Sequence, residues 1–78
     1  MLKALVTHII KTLVENPGAV HVEKTHRDQK DVLVVSVDQG DIGRVIGKDG
    51  QTIKAIRTLV FAIKGDDSVS DIIINDQE

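Results

Sequence analysis

Two glycines enclose a charged pair near the middle of the chain, in the segment Gly47-Lys48-Asp49-Gly50. Glycine has no side chain, so another backbone can approach it closely. The amides of such a loop, and the start of a helix that follows it, carry partial positive charge that suits phosphate. Lys48 adds a full positive charge at the tip. The spacing predicts a phosphate-binding loop, and the alternative interpretation is a plain turn between two helices.

The second charge in this loop works against the first. Asp49 places a carboxylate next to Lys48, on the expected path of a phosphate chain. At a separation of several ångströms in solvent it largely offsets the lysine. We therefore expect modest affinity for a polyanion, with a role for avidity from a second binding unit.

Other glycine-based sites do not fit the spacing. A nucleotide P-loop needs glycine where Ile42 stands and serine or threonine where Asp49 stands. The glycines at 40, 43, 47 and 50 do not form the dinucleotide pattern Gly-x-Gly-x-x-Gly.

Catalytic and metal-binding constellations are also missing from the sequence. Without cysteine, thiolate zinc sites, iron–sulfur clusters and cysteine nucleophiles are excluded. His8, His21 and His26 lack ligand spacing, and we interpret them as surface or structural residues. No serine lies in a nucleophile elbow. We predict a protein that is not an enzyme and that uses no cofactor or metal.

Six elements position the glycine loop. Apolar residues at helical spacing predict a helix over residues 2–15, which Asn16-Pro17-Gly18 stops. Alternation and a β-branched run predict strands over 19–26 and 31–38, joined as a hairpin by a turn at 27–30. Helices over 41–46 and 51–64 flank the loop at 47–50, with Asp41 as a candidate helix cap. A strand over 69–75 follows. The order predicts one α+β domain, 1–78, with a three-stranded sheet covered on one face by helices.

The basic charge of the chain is concentrated around the loop. The 78 residues carry 10 basic and 12 acidic side chains, a net charge of −2. Residues 42–64 nevertheless hold five basic side chains against one aspartate, a net charge of +4. The basic residues are Arg44, Lys48, Lys54, Arg57 and Lys64. Such a dipolar surface can attract a polyanion to one side; chance clustering on a solvated helix is the alternative.

The nine residues Val45-Ile46-Gly47-Lys48-Asp49-Gly50-Gln51-Thr52-Ile53 resemble the full motif Val-Ile-Gly-x-x-Gly-x-x-Ile of the KH domain. In that domain the Gly-x-x-Gly loop clamps about four nucleotides of single-stranded nucleic acid. The element order is similar to the type II, prokaryotic KH topology over nearly the whole chain. Length and sequence together resemble the small stand-alone bacterial KH proteins of the KhpA type.

The resemblance implies a role for individual residues. Gly47 and Gly50 would permit close approach, and Lys48 would supply charge, with Asp49 beside it. As in that family, bases would lie in a groove between the loop side and the sheet, lined by aliphatic residues. The only aromatic residue of the chain is Phe61, so bases cannot be stacked on aromatic side chains, which argues against RRM, OB and cold-shock modules. The remaining candidates of the basic surface are Arg44, Lys54 and Arg57. The candidates for lining the groove are Ile46, Ile53 and Val37. The alternative interpretation is that these three residues belong to the hydrophobic core.

The resemblance also implies partners and a cellular role. We expect a cytoplasmic protein that binds single-stranded RNA with little sequence preference, as an RNA chaperone or post-transcriptional regulator linked to cell shape and envelope. A homodimer is expected, or a heteromer with a larger KH protein of the Jag/KhpB type. Phe61, beside Thr58 and the polar face of its helix, is either a two-fold self-association contact or a residue covered by the chain ends. The alternative function is a protein–protein assembly module that touches RNA little.

Overall fold

The computed structural model describes residues 2–65 and 68–75. Three helices and three strands follow the predicted order α-β-β-α-α-β, in an α+β fold consistent with the type II KH arrangement. The helices are α1 (Leu2–Leu13), α2 (Ile42–Ile46) and α3 (Gln51–Ile63). The strands are β1 (His21–Arg27), β2 (Lys30–Ser36) and β3 (Val69–Asn75).

The first helix ends two residues earlier than the apolar pattern predicts. Pro17 disfavours helical backbone at the residue before it, and Asn16 has a φ of −117° and a ψ of 75°. The amides of Glu15 and Asn16 leave the helix and donate to the buried carboxylate of Asp41, at 3.1 and 3.0 Å. A short 3₁₀ turn, Pro17–Ala19, then delays the first strand to His21.

The hairpin is tighter than predicted. β1 and β2 pair antiparallel from His21↔Ser36 to Arg27↔Lys30, so only Asp28 and Gln29 form the turn. Both have positive φ, 50° and 67°, which is the conformation that two-residue hairpin turns require. β2 ends at Ser36 rather than residue 38, because the Asp38 carboxylate accepts the Gly40 amide at 3.2 Å and begins a 3₁₀ turn.

The third strand pairs parallel with β2, with Leu33 opposite Ile72. The sheet order is therefore β1-β2-β3, and the β-branched run of β2 occupies the central position. A parallel pairing needs a crossover, which here contains α2, the glycine loop and α3.

One apolar cluster joins the helices to one face of the sheet. Side chains from all three helices and all three strands meet in it, each adding roughly 1.5–3 kcal/mol when fully buried. The largest fully buried members are Val6, Ile10, Leu33, Val35, Val45, Val60, Val69 and Ile72. Within the described residues, no helix is long and apolar enough to cross a membrane.

Five apolar residues of α3 fall on one arc of a helical wheel and predict a buried side, which the structure reproduces only in part: Ile53, Ile56, Leu59, Val60 and Ile63. Ile53, Ile56 and Val60 are buried, as expected, whereas Leu59 and Ile63 are 53% and 55% exposed. The apolar arc is wider than the strip of helix that contacts the sheet, so its outer edge faces away from the core.

The predicted capping role of Asp41 is wrong. Its side chain makes no cap hydrogen bond to α2. It is only 3% exposed and instead holds the end of α1 through the Glu15 and Asn16 amides. A buried carboxylate needs such donors, and the amides of Glu15 and Asn16, which follow the last residue of α1, need an acceptor.

Candidate nucleic-acid interface

The glycine loop, residues 47–50, is a tight turn between α2 and α3 in which the backbone of Asp49 is not helical. Gly47, Asp49 and Gly50 all have positive φ, of 78°, 57° and 74°. The Gly50 amide donates to the Gly47 carbonyl at 3.1 Å, and the Gly47 amide donates to the Gly43 carbonyl at 2.8 Å. The loop therefore has a defined shape that backbone hydrogen bonds hold.

The two glycines are required for different reasons. A Cβ on Gly47 would lie 2.2 Å from Oγ1 and 2.6 Å from Cβ of Thr52, so no larger residue fits without displacing the start of α3. A Cβ on Gly50 would meet nothing within 4 Å. Only the positive φ disfavours a side chain there, and the space beside Gly50 is open to a ligand.

Two opposite charges lie at the loop tip. Lys48 and Asp49 are both exposed. Asp49 occupies the left-handed region, which aspartate and asparagine tolerate better than most residues. The loop thus offers one full positive charge to a phosphate, with a carboxylate beside it.

Aliphatic side chains fix the loop to the core. Val45 is fully buried and Ile53 is 7% exposed, so for Ile53 the structure favours the core role over the groove-lining one. Ile46 and Val37 are half-buried and pack against the same cluster, and each keeps an accessible side.

Arg44 is occupied by two carboxylates. Its Nη2 lies 2.5 Å from Glu15 Oε1, and its Nε lies 3.4 Å from Asp41 Oδ1. The guanidinium therefore points back toward the end of α1. The local charge of +4 counted from sequence overstates the field at the loop, because Arg44 is paired with acids from outside that segment.

Arg57 is also engaged within the fold. Its Nε and Nη2 donate to the Ile72 carbonyl at 3.2 and 3.0 Å, and Nε lies 3.3 Å from Asp71 Oδ1. Lys48 and Lys54 remain: in the described part of the chain neither side chain has an ion-pair partner. Of the four basic residues that the sequence places at the site, two are paired with acids. The structure thus leaves Lys48 and Lys54 to face a polyanion.

Three residues that bear on the site are not identified as such by the sequence. Thr52 fills the space beside Gly47, Asp71 pairs with Arg57, and Asp41 holds α1 and Arg44. The only sequence signal is polarity in an unexpected place, such as Asp71 directly before three isoleucines. Most of their partners are distant in sequence, so spacing does not indicate these pairs.

Phe61 is half-buried and packs against the core cluster, with Lys64 Nζ 5.9 Å from its ring centroid. The large aliphatic residues of α3 that are exposed are Leu59 and Ile63. A shallow apolar groove of about 590 Å³ follows this outer side of α3. It is lined by Gln51, Lys54, Ala55, Thr58, Leu59 and Ala62.

Among the residues that the structure describes, no group of three histidine, aspartate or glutamate side chains could hold a metal ion. His26 Nδ1 instead lies 2.8 Å from Asp31 Oδ1, at the hairpin end of the sheet.

The sequence pattern of the family described as KhpA/KhpB, KH domain matches residues 3–74. The RNA-binding protein KhpA of Chlamydia trachomatis is 40% identical over 68 residues, 87% of each chain. The RNA-binding protein KhpA of Bacillus subtilis is 49% identical over 61 residues, covering 78% of this chain and 75% of that protein. The Streptomyces coelicolor protein of the same name is 42% identical over 65 residues, 83% and 82% of the two chains. No solved structure matches the chain significantly.

Three observations lead to one assignment: the order of the elements, the glycine loop between the last two helices, and the match over nearly the whole chain. The chain belongs to the KhpA/KhpB family of KH domains.

Proposed function

We propose that this protein binds single-stranded RNA through the glycine loop, as a clamp on the sugar–phosphate chain with little sequence preference. The observation that carries the proposal is the open space beside Gly50, next to Lys48 on a loop held between two helices. The names of the relatives, RNA-binding protein KhpA, agree with this chemistry. The proposed role is binding, not catalysis.

The physical basis is close approach combined with weak charge. A backbone without a side chain lets a nucleotide strand contact the loop amides directly. Of the basic residues expected at the loop, Lys48 and Lys54 have no ion-pair partner in the described part of the chain, and Asp49 opposes them. Contacts of this kind do not distinguish one base from another, which favours low sequence preference.

Gly50→Asp is the sharpest test of the clamp. The side chain has room, so the fold should persist, while a carboxylate would occupy the proposed phosphate path. Gly65→Asp is the matched control: Gly65 also has positive φ (61°) and open space, but it lies beyond the other end of α3. We expect Gly50→Asp to weaken binding of a fluorescein-labelled single-stranded RNA at least about tenfold, or 1.4 kcal/mol.

Two results would contradict the clamp: equal RNA affinity of Gly50→Asp and wild type, or equal decreases in affinity for the two glycine variants. Circular dichroism would verify that both variants are folded. Gly47→Asp is unsuitable as a probe, because its side chain collides with Thr52 and tests folding rather than binding.

A second copy of the chain is the partner we propose for the outer side of α3. Leu59 and Ile63 are one helical turn apart and are the large aliphatic residues exposed in the described part of the chain. A patch on one helix can pair with its own copy about a two-fold axis. This moves the expected contact from Phe61, which packs against the core, to Leu59, while Thr58 stays at the groove.

Sedimentation equilibrium tests the dimer. We expect wild type to sediment as a dimer and Leu59→Asp as a folded monomer, because a carboxylate would be buried in the interface. Ala4→Asp, an exposed position on α1, is the control for added charge. A monomeric wild type, or a Leu59→Asp variant that remains dimeric, would refute this interface.

The alternative function, a protein–protein assembly module, is favoured by the same exposed face of α3. It would be supported if the dimer formed but the protein did not bind RNA.

Three further proposals rest on the family resemblance. They are association with a larger KH protein of the Jag/KhpB type, a chaperone or regulatory role, and a link to cell shape and envelope.

A further inference from the structure

The backbone N–H and C=O of one residue at the sheet edge, Ile72, are both bound by charged side chains. In the described sheet, β3 is an edge strand. The Ile72 amide donates to Asp71 Oδ1 at 2.7 Å, and the Ile72 carbonyl accepts both Nε and Nη2 of Arg57. Because Arg57 Nε also lies 3.3 Å from Asp71 Oδ1, the carboxylate, the Ile72 backbone and the guanidinium form a closed ring.

Within this ring the carboxylate of Asp71 neutralises the charge of Arg57. The side chains of Arg57 and Asp71 are 39% and 51% exposed, so the pair is reachable by solvent and ions. Its net charge is nevertheless zero, and two of the guanidinium donors already have an acceptor. A phosphate gains less from such a cation than from Lys54, which has no ion-pair partner in the described residues.

The ring also fixes the helix that begins at the glycine loop. Arg57 lies six residues after Gln51, roughly 9 Å along the axis of α3. The buried contacts of α3, through Ile53, Ile56 and Val60, are apolar and therefore not directional. The hydrogen bonds from Arg57 to Ile72 are directional, so they set the rotation and height of α3 against β3.

We propose that Arg57 and Asp71 are positioning residues for RNA binding, which hold α3 and the glycine loop at a fixed distance from the edge of β3 without contacting phosphate. The inference rests on the proposed clamp function. It replaces the expectation that Arg57 extends the basic surface. The proposal gives the two cations of α3 different roles. Lys54 contacts the phosphate of the RNA, and Arg57 fixes the position of α3 against β3.

The salt dependence of RNA binding separates these two roles. For a single strand, every phosphate that a protein neutralises steepens the plot of log K against log salt by about 0.7. We expect Lys54→Met to weaken binding and to make the plot shallower by that amount. We expect Arg57→Met to weaken binding about tenfold with the slope unchanged, because a mispositioned loop binds less tightly while the same lysines still meet phosphate.

The titrations are made at a temperature at which thermal melts show that every variant is folded. Each outcome then supports or overturns the positioning role of Arg57. A shallower slope in Arg57→Met would overturn the proposal, since it would mean a direct phosphate contact. Unchanged RNA affinity in Arg57→Met would overturn it too, because the ring would then serve stability alone. If that variant does not fold, Arg57→Lys replaces it, with a smaller decrease in affinity and again an unchanged slope.

Failure of the clamp itself would be seen separately. If wild type and Gly50→Asp bind the labelled RNA equally, the proposed function fails and the positioning role fails with it. If Gly50→Asp abolishes binding while Arg57→Met does not weaken it, only the positioning role fails.

Discussion

Gly47 is a glycine because Thr52 occupies the space where any side chain would begin. Gly50 is under no such constraint: its surroundings are empty, and its positive φ alone selects it. One glycine therefore preserves the start of α3, while the other keeps a surface bare. This difference is what makes substitutions at Gly50, and not at Gly47, informative about ligand binding.

Asp49 is the residue whose removal should improve binding. Asn tolerates the same left-handed backbone, so Asp49→Asn removes the charge and keeps the loop geometry. An exposed pair of charges is worth about 0.2–1 kcal/mol, so we expect RNA affinity to rise by a factor of roughly 1.4 to 5. Fluorescence anisotropy titrations at low salt would measure it, with Asp38→Asn, before α2, as the control. Unchanged affinity would mean that the phosphate path does not pass Asp49.

At the scale of elements, hydrogen bonds and ion pairs distant in sequence set the position of the helices. Asp41 joins the end of α1 to the start of α2, and Arg57 joins α3 to β3. At the hairpin end of the sheet, Asp31 accepts a hydrogen bond from the Ser68 hydroxyl and lies beside His26 and Lys24. This last cluster joins the turn of the hairpin to the start of β3.

The Asp31 cluster predicts a pH dependence of stability. The hydrogen bond from Ser68, then that from His26, hold the pKa of Asp31 below its ordinary value of 3.8. The unfolded chain therefore binds the proton more readily than the folded one. The stabilisation is fully present above the ordinary value and is lost as the pH falls through the lowered pKa of the folded state.

Urea unfolding from pH 6 down to pH 2.5 would measure this effect. We expect the free energy of unfolding of wild type to exceed that of Asp31→Asn at pH 6, and the difference to shrink below about pH 4. Ser68→Ala, which removes the first cause of the pKa shift, should weaken the dependence. A difference that stays constant with pH would contradict the assignment.

At the scale of the whole molecule, acids from distant parts of the chain pair with two of the cations near the glycine loop, so few of those cations are available to a ligand. The chain carries a net charge of −2, and two of the basic residues near the glycine loop are paired with acids. If Lys48 and Lys54 are the phosphate contacts, binding a single strand releases about 1.4 counterions, at about 0.7 for each phosphate.

The salt dependence of RNA binding should accordingly be shallow. Two phosphate contacts give a slope of log K against log salt of about −1.4. Titrations between roughly 50 and 300 mM KCl would measure it per protomer, on an RNA too short to reach two loops. A slope near about −3 would mean that Arg44 and Arg57 leave their carboxylates and contact phosphate, contrary to the pairing in the structure.

Much of this architecture follows from local sequence. The stop at Asn16-Pro17-Gly18, the alternation in β1 and the β-branched run in β2 act through short-range backbone preferences, and they predict these elements to within a few residues of the observed bounds. The nine-residue motif around Gly47 likewise indicates the family, because its residues are neighbours in sequence.

Other features are decided only by the tertiary structure. Three of them depend on contacts between distant parts of the chain. They are the parallel pairing of β3, the exposure of Leu59 and Ile63, and the ion pair that joins Arg44 to Glu15 across 29 positions. Periodicity identifies an apolar side of a helix but not how wide its contact with the sheet is. A count of basic residues cannot show which of them will meet an acid from another element, and that pairing decides how much charge remains for RNA.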